Sequence, residues 1–299
     1  MTHSNPRPAP AARPGRAAIA ARAALALALV ALASQSAVFA RGYMTPGFRA
    51  RQSRPMRVAI LPPHAEFIKE KVLMTDQMLS ESAALEREAA AALKTRLEEL
   101  GYTVRVVGES EMAKNPRLKQ LVVRVNDRYG EEWSKMVYRP RLVREKRYTC
   151  GEDVVRLASF LKVDGLAVAR IVANGRTKGK VAFSAFFGTA TASSYARLDL
   201  AVLNGRQGLV EAFFVGLEYT SLGQLTKKPA HIMGQVAEKV LNRYPQAGDA
   251  EVLDEEEIAA ASSGGGSKEA ADDEAAIKDF EMLLHKKGSP PSGARDTGQ

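Results

Sequence analysis

The chain has 299 residues, of which 45% are hydrophobic and 26% are charged, so it is long enough to bury a sizeable core. The formal net charge of +9 is unevenly divided: residues 41–245 carry 34 basic and 21 acidic side chains, whereas residues 246–299 carry 5 and 13. A basic body with an acidic tail fits an anionic partner, or a tail that shields its own body. A single cysteine excludes an internal disulfide.

The first forty residues have the layout of a secretory signal peptide. A segment with four arginines and no acid is followed by an apolar run at residues 23–33 and by small residues ending at Ala40. Eleven apolar residues are too few to cross a bilayer as a stable helix, so we expect cleavage after Ala40 and export. The alternative is an uncleaved signal anchor. No cysteine follows the apolar run to carry a lipid.

The first half of the body predicts a βαβ unit. Residues 41–55 are rich in Gly, Pro and Arg without periodicity and predict an extended leader. Residues 56–61 predict a buried strand, residues 80–100 an amphipathic helix ending at Gly101, and residues 102–107 a second strand. Two strands joined by a helix are expected to be parallel.

The second half is organised around a predicted β-hairpin at residues 194–218, where alternating apolar residues flank an Asn-Gly turn. The other predicted elements are helices at 116–137, 151–162 and 227–244, strands at 166–172 and 181–187, and a turn at 174–180. Together these patterns predict an α/β domain over residues 56–245, with a single mixed sheet of about five strands covered by helices.

The segment at residues 246–299 is an acidic, Gly/Ser-rich tail. Within it, residues 273–287 predict a short helix with four apolar residues on one face, and these are Ile277, Phe280, Leu283 and Leu284. An isolated helix of this length is marginally stable in water. It therefore either orders by docking on a partner or remains a frayed helix on a tether.

One basic cluster is a candidate binding site. Residues 139–147 contain five cations and one acid, and the cations are Arg139, Arg141, Arg144, Lys146 and Arg147. The cluster is either a patch that contacts an anion or a solvated connector before the next helix, and the lack of aromatic residues among the charges favours the connector.

The sequence predicts no catalytic, cofactor-binding or metal-binding residues. His64 and His231 have no metal-ligand partner at a suitable spacing, and no catalytic or nucleotide-binding motif occurs. Asp164 and Asp199, near the predicted strand ends, are the acids that a hydrolase or transferase would use. Cys150 is either a thiol in the core or an intermolecular bridge, and the lack of a second Cys or His nearby favours a buried or half-buried thiol.

The order of four segments resembles a superfamily of bacterial envelope proteins that includes CsgG, the N-terminal domain of TolB and small α/β outer-membrane lipoproteins. The segments are residues 57–63 (RVAILPP), 100–102 (LGY), 161–166 (LKVDGL) and the strand pair 198–211. The resemblance covers about residues 56–244. It implies an anticodon-binding-domain-like or CsgG-like fold, and a non-catalytic domain that helps to assemble, transport or regulate something at the outer membrane or cell wall.

These observations favour an exported, non-catalytic binding or assembly module of the bacterial cell envelope, located in the periplasm and peripheral to the outer membrane. The expected partner is an envelope protein, an anionic surface or polymer, or further copies of the chain, and nucleic acid is not expected because the chain is exported. Two alternatives stay open: a hydrolase or transferase acting on an anionic wall polymer, and a subunit of a secretion pore.

Overall fold

One mixed sheet of eight strands forms the centre of the computed structural model, which describes residues 40–181 and 194–250. In chain order the strands are β1 (Ala40–Met44), β2 (Arg57–Ile60), β3 (His64–Glu70), β4 (Thr75–Gln77), β5 (Thr103–Val106), β6 (Gly165–Arg176), β7 (Ser194–Asn204) and β8 (Val210–Thr220). The order across the sheet is β1-β8-β7-β6-β2-β5, and β3 continues beyond β2 along the same edge of β6. The predicted mixed α/β fold is confirmed, with eight strands instead of about five.

Helices cover both faces of this sheet. The described helices are α1 (Pro46–Arg49), α2 (Leu79–Glu99), α3 (Glu109–Lys114), α4 (Pro116–Tyr138), α5 (Glu152–Leu161), α6 (Leu222–Lys227) and α7 (Pro229–Leu241). The apolar sides of α2 and α7 pack on one face, and those of α4 and α5 pack on the other. None of the helices described is both long and apolar enough to cross a bilayer.

The predicted hairpin is formed by β7 and β8. Alternate side chains of β7 point to opposite faces of the sheet and contribute to the hydrophobic cores on both faces. Leu198 and Leu200 face α2 and α7, whereas Ala201 and Leu203 face α4 and α5. In the turn, Gly208 has a φ of 70°, and a Cβ there would lie 2.2 Å from a backbone oxygen. Only glycine fits this position without strain.

The predicted parallel βαβ unit is also present, because β2 and β5 pair in parallel around α2. The helix ends as predicted at Gly101, which has a φ of 88°. Two strands that the sequence analysis does not predict, β3 and β4, lie between β2 and α2. They form a short antiparallel hairpin, and β3 pairs in parallel with the second half of β6.

The structure corrects the prediction that residues 41–55 are an extended leader. Strand β1 pairs antiparallel with β8, and the Phe48 side chain is fully buried beside the Tyr244 ring. The buried carboxylate of Glu211 accepts hydrogen bonds from the hydroxyl groups of Thr45 and Ser53. Pairing with residues far along the chain holds this segment in place, and no local periodicity reveals that.

Three further predictions differ from the structure or fall outside it. Residues 174–176 continue β6 because they pair with β3 and β7, where a turn is predicted. At the other end, the body continues past residue 245, since Ala247 is buried and donates a backbone hydrogen bond to Leu100. Residues 1–39 of the signal peptide predicted at 1–40, most of the strand predicted at 181–187 and the tail helix predicted at 273–287 lie outside the described residues, whereas Ala40 belongs to β1.

Candidate functional site

Part of the sheet on the α4 side is covered by no described helix. Helix α4 crosses this face at the level of Trp133, which contacts β6 and β7. Beyond that level, four strands present side chains that belong to neither hydrophobic core. We call this surface the open face, and its main residues are Glu66, Ile68, Val172, Tyr195, Arg197, Leu217 and Tyr219.

Strand register places these residues in two rows. Val172, Arg197 and Leu217 lie side by side on β6, β7 and β8, and Tyr195 and Tyr219 lie in the next row. The apolar members are half-buried or, for Tyr219, 41% exposed. Aromatic, aliphatic and arginine side chains together are typical of the centre of a protein interface.

A buried charged cluster supports the edge of the open face at α4. The carboxylate of Asp199 is fully buried and accepts hydrogen bonds from Trp133 Nε1 at 2.7 Å and from Arg197 Nε at 2.7 Å. The Arg170 guanidinium stacks on the Trp133 ring, 4.2 Å from its centroid. Burial, together with the charge of Asp199, raises the pKa of the Tyr129 hydroxyl well above its usual value. The cluster fixes α4 against β6 and β7.

The two acids that could serve a hydrolase do not share a site. Asp164 precedes β6, whereas Asp199 lies opposite Arg170, about 20 Å farther along that strand. The guanidinium of Arg57 binds the Asp164 carboxylate at 2.7 Å and lowers its pKa. Arg57 therefore binds Asp164 at the start of β6, and Arg197 binds Asp199 in the middle of β7. Within residues 40–181 and 194–250, no group of three or more His, Cys, Asp or Glu could hold a metal ion.

The turn between β3 and β4 extends the open face with apolar residues. Val72, Leu73 and Met74 are 38%, 95% and 58% exposed. The backbone of Lys71 closes this turn by donating a hydrogen bond to the Met74 carbonyl, and the Lys71 side chain forms an ion pair with Asp76. Solvated apolar side chains on a well-formed turn are typical of a surface that contacts a partner.

The five cations predicted as a possible anion patch lie on the connector between α4 and α5. Pro140 and Val143 bury the apolar side of this connector, and Arg147 forms an ion pair with Glu145 at 2.8 Å. Arg141 is half-buried. The other four cations are exposed, and they are Arg139, Arg144, Lys146 and Arg147. The connector is thus a surface segment separate from the open face, and an anion-binding role for it stays a prediction.

Cys150 lies in the core under α4, only 3% exposed. Burial, reinforced by the charge of Glu132, raises the pKa of its thiol to about 12. We expect Ellman's reagent to react with the native protein at least about a hundredfold more slowly than with the urea-unfolded chain, because only the thiolate is nucleophilic. Rapid, complete labelling of the folded protein at pH 8 would contradict this placement.

Sequence reasoning identified Asp199 but not its partners, Trp133 and Arg170, because 66 residues separate Asp199 from Trp133. The local signal is a pair of charges, Arg197 and Asp199, two residues apart on one face of a strand that is otherwise largely apolar. A charge at such a position requires a compensating partner. The open face carried no comparable signal, because only the three-dimensional position of α4 leaves it uncovered.

No protein-family model matches this chain, and no curated protein matches it in sequence. Among solved structures it is similar to a PelC dodecamer from Paraburkholderia phytofirmans, with 8% identity and a TM-score of 0.33 over 67% of this chain and 95% of that one. It is also similar to the lipoprotein GNA1162 from Neisseria meningitidis, with 11% identity and a TM-score of 0.28 over 63% and 96%. Likeness at this level says nothing about function.

Proposed function

We propose that this protein is an exported, non-catalytic binding and assembly module of the bacterial cell envelope, and that the open face is its contact surface. The observation that carries the proposal is the part of the sheet that no described helix covers, with its aromatic, aliphatic and arginine side chains. The signal peptide predicted from the sequence supports the location in the periplasm, peripheral to the outer membrane.

The arrangement of the open face favours a protein partner. Its central strands, β6 and β7, are long and paired on both sides at this level, so the middle of the surface is rigid and little entropy is lost on binding. The buried Asp199 cluster holds Arg197 in the surface row. Over β6 and β7 the partner meets side chains instead of backbone groups, so recognition there depends on the shape and charge of those side chains.

The same residues weigh against the hydrolase alternative. Asp199 accepts hydrogen bonds from two side chains in a fully buried position, so it has no access to a substrate. Asp164 is bound to Arg57 at the far end of β6. The two carboxylates therefore do not form with each other the close pair of acids that catalysis at a glycosidic bond would require.

We test the contact surface with a matched pair of substitutions. Val172→Glu places a charge in the open face, and Val123→Glu makes the same change at a residue of α4 that is 47% exposed. We expect Val172→Glu to lower association about tenfold or more, because the added carboxylate must lose its hydration at the contact even beside Arg197, whereas Val123→Glu has little effect.

Association is measured by light scattering of the full mature chain and by capture from detergent-solubilised envelopes. If the wild-type chain scatters as an oligomer and Val172→Glu scatters as a monomer, the partner is a second copy of the chain. If the wild-type chain captures an envelope protein and Val172→Glu does not, the partner is that protein. The proposal would be overturned if the wild type, Val172→Glu and Val123→Glu had the same mass in solution and captured the same proteins. Thermal melts confirm that both variants fold.

A further inference from the structure

A groove between α4 and α5 combines an apolar floor with a cationic rim. Its volume is about 510 Å³, and its main lining residues are Arg117, Leu121, Arg124, Val155, Arg156 and Phe160. Leu121 is buried, whereas the Phe160 ring is 39% exposed although it lies in the groove. The groove faces away from the sheet and is separate from the open face.

The three arginines at the rim are available to bind another anion. Arg124 and Arg156 form ion pairs with Asp153 and Glu152, but these pairs are exposed and therefore weak. Arg117 is exposed and makes no ion pair with any carboxylate in the described part of the chain. The surroundings of Phe160 therefore suit a ligand that is both acidic and apolar.

The chain contains a segment with these properties. Residues 273–287 are predicted to form a helix with Ile277 and Phe280 on its apolar face, and the flanking positions include Asp279 and Glu281. The whole tail carries a net charge of −8 against +13 for the body. An amphipathic helix that lays its apolar face in a groove is a common mode of peptide recognition.

The point at which the described chain ends allows this segment to reach the groove. Residues 246–249 are held at the start of β5, where Ala247 donates to the Leu100 carbonyl and Arg54 donates to the Asp249 carbonyl. Helix α5 ends nearby, since Arg105 of β5 donates to the Leu161 carbonyl. The residues between 250 and 273 include a Gly/Ser run, and a flexible linker of that length spans about 26 Å on average.

We propose that residues 273–287 dock on their own domain, as an amphipathic helix in the groove between α4 and α5. The apolar face covers Phe160 and Leu121, and the acidic side chains pair with Arg117, Arg124 and Arg156. Docking shields the apolar surface of the groove and neutralises part of the basic body. The inference is independent of the open face and of its partner.

The test uses the full mature chain with photoreactive benzoylphenylalanine at position 280. We expect cross-links, mapped by mass spectrometry, to form mainly with residues of α4 and α5 within one chain. Arg117→Glu with Arg156→Glu is expected to reduce their yield about tenfold, because two charge contacts become repulsive. Asp279→Lys with Glu281→Lys, added to that variant, is expected to restore the yield.

The matched control is Lys227→Glu with Lys228→Glu, which reverses two exposed charges on the opposite face of the sheet and should leave the cross-link unchanged. Cross-links scattered over the surface, cross-links that form covalent dimers, or a yield unaffected by the arginine substitutions would overturn the proposal. Because the altered arginines are exposed, unchanged thermal melts are expected and are checked for every variant.

Discussion

Replacing Asp199 with alanine is expected to lower the free energy of unfolding by about 3–5 kcal/mol. The carboxylate is fully buried and binds both Trp133 Nε1 and Arg197 Nε, and the Arg170 guanidinium lies on the Trp133 ring. Its loss leaves arginine charge without compensation in a water-poor environment. Equilibrium urea denaturation of the full mature chain measures the change.

Two further substitutions provide comparisons for the effect of Asp199→Ala on the free energy of unfolding. Trp133→Phe keeps an aromatic ring under Arg170 but removes one donor, so we expect a loss of about 1–3 kcal/mol. Glu131→Ala removes an acid that is 62% exposed in its ion pair with Arg128, and we expect a loss below about 1 kcal/mol. If Asp199→Ala were no more destabilising than Glu131→Ala, the buried cluster would not be the anchor of α4.

Replacing Phe48 with alanine is expected to cost about 3–5 kcal/mol of unfolding free energy, because the cavity forms in a fully buried position. The Phe48 ring contacts Tyr244 edge-on at 5.6 Å, and the Arg54 guanidinium lies 5.5 Å from its centroid. The matched control is Tyr138→Ala, at a ring that is 55% exposed at the end of α4, and it should cost less than about 1 kcal/mol.

Urea denaturation again provides the measurement. The comparison decides whether residues 41–55 are part of the domain or a leader attached to it. If Phe48→Ala and Tyr138→Ala had equal, small effects, the segment would be dispensable for stability, as expected of an extended leader. A large effect of Phe48→Ala alone would establish that the domain begins at β1.

The elements that the sequence predicts well are those whose signal is local. The hairpin of β7 and β8 combines strict alternation, which supplies Leu198 and Leu200 to one core, with an Asn-Gly turn. Helix α4 is continuous through Gly130, because the helix buries its apolar stripe along its whole length. Where propensity and periodicity agree, tertiary structure only confirms them.

The elements that the sequence does not predict depend on contacts between distant residues. Strand β3 buries Ala65 and Phe67 on one side, and its other side lies on the open face. Charged residues on that side interrupt the apolar pattern that would otherwise predict a strand. Strand β1 has five residues and is held by β8. The Asp199 cluster is assembled from α4, β6 and β7. Such features follow from the complete topology, which no single stretch of sequence contains.

The pairing of β1 with β8 joins the start of the body to a strand near its end. The hydrogen bond between Thr45 and Glu211 joins residues 166 positions apart, so the sheet cannot close until nearly the whole body has been synthesised. If the predicted signal peptide directs secretion, β1 is among the first parts of the body to leave the cytoplasm and β8 among the last. Translocation then separates the two partners, and this keeps the polypeptide unfolded and competent for transport until both have reached the same compartment.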